Sequence, residues 1–135
     1  MEKTKTDLGF KVQLQGDYEA VEARVRQALQ DEGFGILTEI DVKATLKKKL
    51  DVDFRPYKIL GACNPPLAYQ ALTAVPDDGL LLPCNVTIAQ GENETIEVAI
   101  INPDVMLDVG DLPELQPVAD EARKRLQRVA DALKA

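Results

Sequence analysis

The sequence predicts an α+β fold, a two-layer sandwich in which helices pack on a mixed or antiparallel sheet. Segments with an apolar residue at every second position alternate along the chain with segments whose apolar residues recur every three or four positions. Near the C-terminal end, two alternating segments over 82–88 and 95–101 are joined by turn-forming residues, which is typical of a hairpin. The predicted order is therefore β-α-β-α-β-α-β-β-α.

Length and composition favour one globular domain over 8–135. The chain has 135 residues, of which 45% are hydrophobic and 4% aromatic, so the expected core is aliphatic. The polar residues 1–7 are expected to form a flexible tail, and no apolar run follows them that would suit a signal peptide or a membrane span. We expect a cytoplasmic protein without a membrane partner. The net charge of −7 also makes a nucleic-acid partner unfavourable.

The chain begins with a strand and a helix. Over 8–14 apolar side chains occupy every second position, as in a half-buried strand. Asp17 is a suitable N-cap, and apolar residues then recur at helical spacing up to Gly33. These signals predict a helix over 17–32.

A second strand and a short helix are predicted next. Apolar side chains over 34–42 alternate with Glu39 and Asp41, so we expect the apolar ones on a single face of the strand. From Asp41 the apolar spacing changes to one residue in four, which predicts a helix over 41–50. The lysines at 47–49 are interpreted as the solvated face of that helix.

The third strand leads into the stretch that holds both cysteines. Residues 57–63 are predicted to form this strand, and Asn64 followed by Pro65 is a typical start for a helix, which ends before Pro76. Cys63 is therefore expected at a strand-to-helix junction.

A hairpin, a link and a long helix complete the chain. Pro83 cannot donate to a strand ladder, so we place it at the start, a bulge or an edge of the first hairpin strand. The link over 102–112 is expected to be irregular, with its apolar residues 105–107 exposed. Asp111 and Glu114 resemble a capping box for the last helix, whose apolar stripe is expected to pack on the sheet.

Histidine is absent, which removes Ser-His-Asp and Cys-His mechanisms and histidine metal ligation. The segment Gly33-Phe34-Gly35 is no phosphate loop, because it lacks the later glycine and precedes a strand. Two cysteines remain, too few in one chain for a closed tetrahedral zinc site unless a second subunit or carboxylates supply further ligands. No metal ligand is therefore assigned.

Cys63 and Cys84 are the candidate catalytic residues. Backbone N–H groups at the start of the following helix would stabilise a Cys63 thiolate and make it reactive. The alternative is that each thiol only fills packed space, because free cysteine is among the most buried residue types. If their strands are antiparallel neighbours, both thiols lie close around a small pocket. The ligand-binding candidates are Tyr57, Lys58, Cys63, Asn64 and Cys84.

The segments 57–65, Leu82-Pro83-Cys84 and 100–103 resemble the family known as domain of unknown function 302. The likeness covers about residues 8–133. The family pattern falls on six residues of this chain: Gly61, Cys63, Asn64, Pro65, Pro83 and Cys84. The resemblance implies a small bacterial or archaeal α+β domain that is dimeric and has no established activity.

The favoured function is a dimeric ligand-binding or interaction module with a strand-end site lined by Cys, Asn and Pro. The expected partners are a second copy of the chain and a small-molecule ligand. One alternative is a thiol-dependent redox or nucleophilic protein that uses Cys63, with Cys84 as its resolving partner. A second alternative is a metal site shared across a dimer. The sequence assigns no cofactor and leaves open whether the protein is an enzyme.

Overall fold

The computed structural model describes residues 8–110 and 112–134, so the predicted tail over 1–7 lies outside it. Five strands form one open sheet in the order β1-β5-β4-β3-β2, and every neighbouring pair is antiparallel. The predicted α+β class is confirmed, with the antiparallel form of the sheet. The strands are β1 (Gly9–Gln15), β2 (Gly35–Asp41), β3 (Tyr57–Cys63), β4 (Cys84–Gln90) and β5 (Thr95–Ile101).

The core lies between one face of the sheet and two helices. α1 (Tyr18–Asp31) and α5 (Gln116–Lys134) each bury an aliphatic stripe, which includes Leu29 and Leu126, against side chains from all five strands. The remaining helices are α2 (Val42–Leu50), α3 (Pro65–Ala74) and α4 (Asp104–Gly110). Within the described residues, no helix has the length and apolarity needed to cross a membrane.

Polar side chains cap the first two helices, and Asp17 does so as predicted. The side chain of Asp17 accepts a hydrogen bond from the Ala20 amide at 3.1 Å, and Asp41 accepts one from the Ala44 amide at 2.9 Å. Gly33 follows α1 with φ at +84°, a left-handed conformation that glycine adopts without strain. Short-range signals in the sequence therefore define where these helices begin and end.

The prediction that the apolar side chains of 34–42 share one face of a strand is wrong for β2. The alternation over 34–42 does not continue, because a bulge shifts the pairing register after Ile36. Ile36 packs against the core, whereas Ile40 lies on the opposite face of the sheet and is 48% exposed. The extra residue, Leu37, reverses the alternation, so the apolar side chains of this strand do not share one face.

The link predicted to be irregular over 102–112 contains a helix, α4, so that prediction is wrong. Tertiary and capping contacts hold this seven-residue helix, which is too short to be stable alone. The Asn102 side chain accepts a hydrogen bond from the Asp104 amide at 3.1 Å, and Arg123 of α5 pairs with the Asp104 carboxylate at 2.8 Å. Leu107, expected to be exposed, is half-buried.

The last helix also starts differently from the prediction. A 3-10 turn, Pro113–Leu115, precedes α5, which begins at Gln116. The predicted cap Asp111 lies outside the described residues. The apolar stripe of α5 packs on the sheet as expected, because Leu126, Val129 and Leu133 are buried in the core.

Candidate functional site

A cavity of about 330 Å³ lies at the end of the sheet where β3 finishes and β4 starts. α3, the 3-10 helix Pro76–Leu81, α4 and α5 close its other sides. The walls are mostly aliphatic, and exposed lining residues such as Leu37 and Leu72 show that the cavity reaches the surface. Its apolar lining includes Phe34, Leu67, Ala71, Leu82, Leu107 and Val118.

The antiparallel pairing of β3 and β4 brings both cysteines to this cavity. Ala62 is the register partner of Cys84, so Cys63 lies one residue further along the neighbouring strand. Both cysteines are free and both line the cavity. Cys63 is half-buried, whereas Cys84 is 8% exposed. The condition under which both thiols would reach one pocket, antiparallel neighbouring strands, is thus met.

Burial raises the pKa of the Cys84 thiol to about 11, and the neighbouring Cys63 and Asp78 add to the shift. A thiol with such a pKa is almost fully protonated at neutral pH and is a poor nucleophile. Of the two cysteines, Cys63 is therefore the one whose exposure suits attack on a reagent.

Asn64 closes the cavity as the N-cap of α3. Its Oδ1 accepts a hydrogen bond from the Leu67 amide at 3.2 Å, and the residue is buried. A side chain on Gly33 would approach the Asn64 Nδ2 to 2.9 Å, so the glycine leaves room for this amide. Asn64 thus lines the cavity and starts the helix at the same time.

Tyr57 and Lys58, the other two predicted site residues, lie at the opposite end of β3. The Tyr57 ring is 6.1 Å from that of Phe54, measured between centroids. Lys58 Nζ donates a hydrogen bond to Glu22 Oε1 at 3.0 Å and lies 3.4 Å from a Glu39 oxygen. The structure therefore brings Cys63, Asn64 and Cys84 together and leaves Tyr57 and Lys58 away from them.

Asp78 lines the cavity and was missed by sequence reasoning, which ended a helix before Pro76 and gave the residues after it no role. Asp78 is 4% exposed, and its Oδ1 is buried without a hydrogen-bond partner. Burial raises the pKa of this carboxyl above its usual value. One signal was available, because two adjacent acids and Gly79 precede the apolar run Leu80-Leu81-Leu82.

Gly61 and Pro83 shape the rim beside the cysteines. A Cβ on Gly61 would overlap Thr38 Oγ1 and lie 2.7 Å from Pro83 Cγ, so only glycine fits where these side chains cross β3. Pro83 immediately precedes β4, as its missing amide donor requires, and the Leu82–Pro83 peptide is cis. Among the described residues, no group of three or more Cys, Asp or Glu side chains is arranged to hold a metal ion.

The fold and the site define a small antiparallel α+β domain with a mostly apolar cavity at its strand ends. The chain belongs to the family described as Domain of unknown function DUF302, whose model matches residues 10–133, as the sequence resemblance predicted. It is similar to the crystal structure of an uncharacterized conserved DUF302 protein from Bacillus stearothermophilus. That similarity has a TM-score of 0.84 and 29% identity, over 93% of this chain and 97% of the other. Among curated proteins, none matches the chain.

Proposed function

We propose that the protein is a ligand-binding domain that holds a small, mostly apolar molecule in the strand-end cavity. The observation that carries the proposal is the cavity itself, about 330 Å³ in volume and lined chiefly by aliphatic side chains. Ligand pockets in proteins typically measure about 300–1,000 Å³ and combine apolar walls with a few polar groups. Asn64, Asp78 and the two thiols are such groups here.

A cavity of this size is unusual beside the packing density of protein interiors. Protein interiors are packed as densely as organic crystals and contain few voids larger than a water molecule. In the middle of the sheet, by contrast, the side chains of Leu60, Val86 and Ile88 are fully buried. A bound apolar ligand would remove the cavity walls from water, and each buried methylene contributes about 0.8 kcal/mol.

An NMR titration with propylbenzene, followed through the ligand signals, tests the proposal. Ala68 lines the cavity, so Ala68→Phe fills part of it and is expected to abolish binding. Ala23→Phe places the same ring on an exposed position of α1 and serves as the matched control. Binding that Ala68→Phe leaves unchanged, or no binding to the wild-type protein, would contradict the proposal.

We further propose that the chain functions as a homodimer. Apolar side chains on the sheet face opposite α1 and α5 support this idea. Ile40 is the register partner of Ile59, which lies on the same face of β3 as Tyr57, and Tyr57 in turn is close to the exposed Phe54. Exposed apolar surface of this kind marks interaction sites. The support thus comes from a different surface than the predicted 105–107 segment.

Light scattering from micromolar to millimolar concentration tests the homodimer. Ile40→Glu is expected to shift the mass toward the monomer, because it puts a charge on the proposed interface. Leu80→Glu changes another exposed apolar residue, one outside this surface, and should leave the mass unchanged. A monomer mass for the wild-type protein at every concentration would contradict the proposal.

Thiol chemistry is a second candidate function, favoured by the presence of both free cysteines on one cavity. Oxidation would join the two sulfurs in a disulfide and pass two electrons and two protons to an oxidant such as a diazene. Treatment with diamide followed by mass spectrometry tests it, and the expected intramolecular product is lighter by two hydrogens. Only mixed or intermolecular disulfides would contradict it.

Reduced thiols are also consistent with a cytoplasmic location, which we propose.

A further inference from the structure

We infer that Asp78 is the polar anchor of the strand-end cavity and that the ligand is a small apolar molecule carrying one protonated amine. The inference rests on the proposed ligand-binding function and names the chemical class that the cavity would take.

The first support is the unsatisfied state of Asp78. The large majority of buried side-chain polar atoms in native proteins have a hydrogen-bond partner, so a lone buried oxygen requires an explanation. Asp78 is 4% exposed, and its Oδ1 has no partner. Glu22, a partly buried acid whose side chain is 12% exposed, is bonded to both Lys58 and Arg26. A hydrogen-bond donor on a ligand would pair with Asp78 as Lys58 and Arg26 pair with Glu22.

The second support is the charge of the cavity wall. Among its described lining residues none is Lys or Arg, so the carboxyl of Asp78 faces no protein cation there. Asn64 already uses its Oδ1 to cap α3, and the Cys84 thiol is buried. An anionic ligand would be repelled by Asp78. An ammonium group would form a charge-assisted hydrogen bond with it, roughly twice as strong as a neutral one.

The cavity volume limits the apolar part of the ligand. A cavity of about 150 Å³ accepts benzene, so this one, at about 330 Å³, has room for an aromatic ring with a short aliphatic chain. A matched pair of probes therefore isolates the amine. 2-Phenylethylamine and propylbenzene have the same shape, with an ammonium group in the first where the second has a methyl group.

The experiment measures both affinities in the wild-type protein, in Asp78→Asn and Asp78→Ala, and in Asp77→Asn as control. Asp77 is the exposed neighbour with the same charge. The ratio of amine affinity to hydrocarbon affinity is expected to fall by at least about tenfold in both Asp78 variants, because the charge-assisted bond is lost. The ratio should not change in Asp77→Asn, and propylbenzene affinity should survive in all three variants.

Other outcomes separate the two proposals. If neither probe binds the wild-type protein, the ligand-binding function itself fails. If propylbenzene binds but the ratio is the same with and without Asp78, the function stands and the anchor is overturned. An equal dependence of 2-phenylethanol on Asp78 would overturn the assignment of an amine. If even the near-isosteric Asp78→Asn fails to fold, Asp78 is a structural residue and the inference is overturned.

Discussion

The two ends of β3 differ in how the polar side chains around them are paired. At the Lys58 end, Glu22, Arg26, Glu39 and Lys58 form a network, here called the charged network, in which every member has a partner. At the Cys63 end, Asp78 lines the cavity, and its buried Oδ1 has no hydrogen-bond partner. One end of β3 thus lies beside side chains that are all paired, and the other end lies beside an acid with an unpaired oxygen.

The pKa shifts of the two acids follow this difference in pairing, because the pKa of Glu22 is lowered and that of Asp78 is raised. Burial alone would raise the pKa of Glu22, but hydrogen bonds and charges from Lys58 and Arg26 outweigh it and hold that pKa below its usual value. Burial of Asp78 meets no such compensation, so its pKa is raised. The charged network stabilises its acid as an anion within the folded chain. The cavity end retains a carboxyl that a ligand could still stabilise.

The largest expected effect concerns packing. Leu126→Ala should lower the free energy of unfolding by about 2–5 kcal/mol, because Leu126 is fully buried in the core. Leu72→Ala should cost well under 1 kcal/mol, because Leu72 is a partly exposed wall of the cavity that is already poorly packed. Urea unfolding of both variants measures the difference. Equal losses would mean that the cavity end is packed like the core.

The next largest change in stability is expected in the charged network. Glu22→Gln should destabilise the protein by about 1–3 kcal/mol at neutral pH, since it removes the negative charge and one of the two oxygens that accept from Lys58 and Arg26. Glu19→Gln, an exposed position in the first turn of α1, is the control and should change little.

The cost of Glu22→Gln should also depend on pH. The folded pKa of Glu22 lies below its reference value of 4.5, so its contribution is complete above that pH and is lost as the pH falls through the folded pKa. Unfolding measured from neutral pH to about pH 3 should show the two proteins converging. A difference that persists undiminished at the acid end would show that Glu22 acts through packing rather than charge.

The thiols offer a third contrast. In the native protein at neutral pH, Cys63 should react with iodoacetamide at least about tenfold faster than Cys84, which is more buried and has the raised pKa. Cys63→Ser should abolish most of the labelling, and Cys84→Ser should abolish little of it. If neither cysteine reacts before denaturant is added, both are packed core residues and the thiol function fails.

The smallest expected effect has the opposite sign. Asp78→Ala should raise the free energy of unfolding slightly, by up to about 1 kcal/mol, because it removes a buried oxygen that has no partner. Changing Glu22 in the charged network is expected to destabilise the fold, whereas removing Asp78 from the cavity should stabilise it. Thermal unfolding of the ligand-free protein measures the sign. A loss of stability would mean that Asp78 supports the fold.

Local signals in the sequence predict much of the fold and one half of the site. Asp17 caps α1, and Asn64 with Pro65 starts α3, so Cys63 lies at the expected junction. The hairpin of β4 and β5 likewise follows from alternation and a turn. These features depend on residues near one another in the chain, which is why a single sequence reveals them.

The rest depends on contacts between distant segments. Asp77 and Asp78 are chemically identical neighbours, yet one is exposed and the other buried by elements that no local pattern brings together. The bulge at Leu37 reverses a strand whose alternation looks regular. α4 exists because Asn102 caps it and Arg123 pairs with it, although its own sequence is a weak helix former.

A chemical-shift map of the ¹⁵N-labelled protein titrated with propylbenzene tests whether the strand-end cavity is the binding site. The perturbations are expected to cluster around the cavity, at the amides of Cys63, Ala68, Ala71 and Cys84, with none at Glu22 or Lys58. Ala68→Phe should remove the cluster, and Ala23→Phe should leave it intact. Perturbations confined to the sheet face around Ile40 and Ile59, or none at saturating probe, would contradict the assignment of the cavity as the binding site.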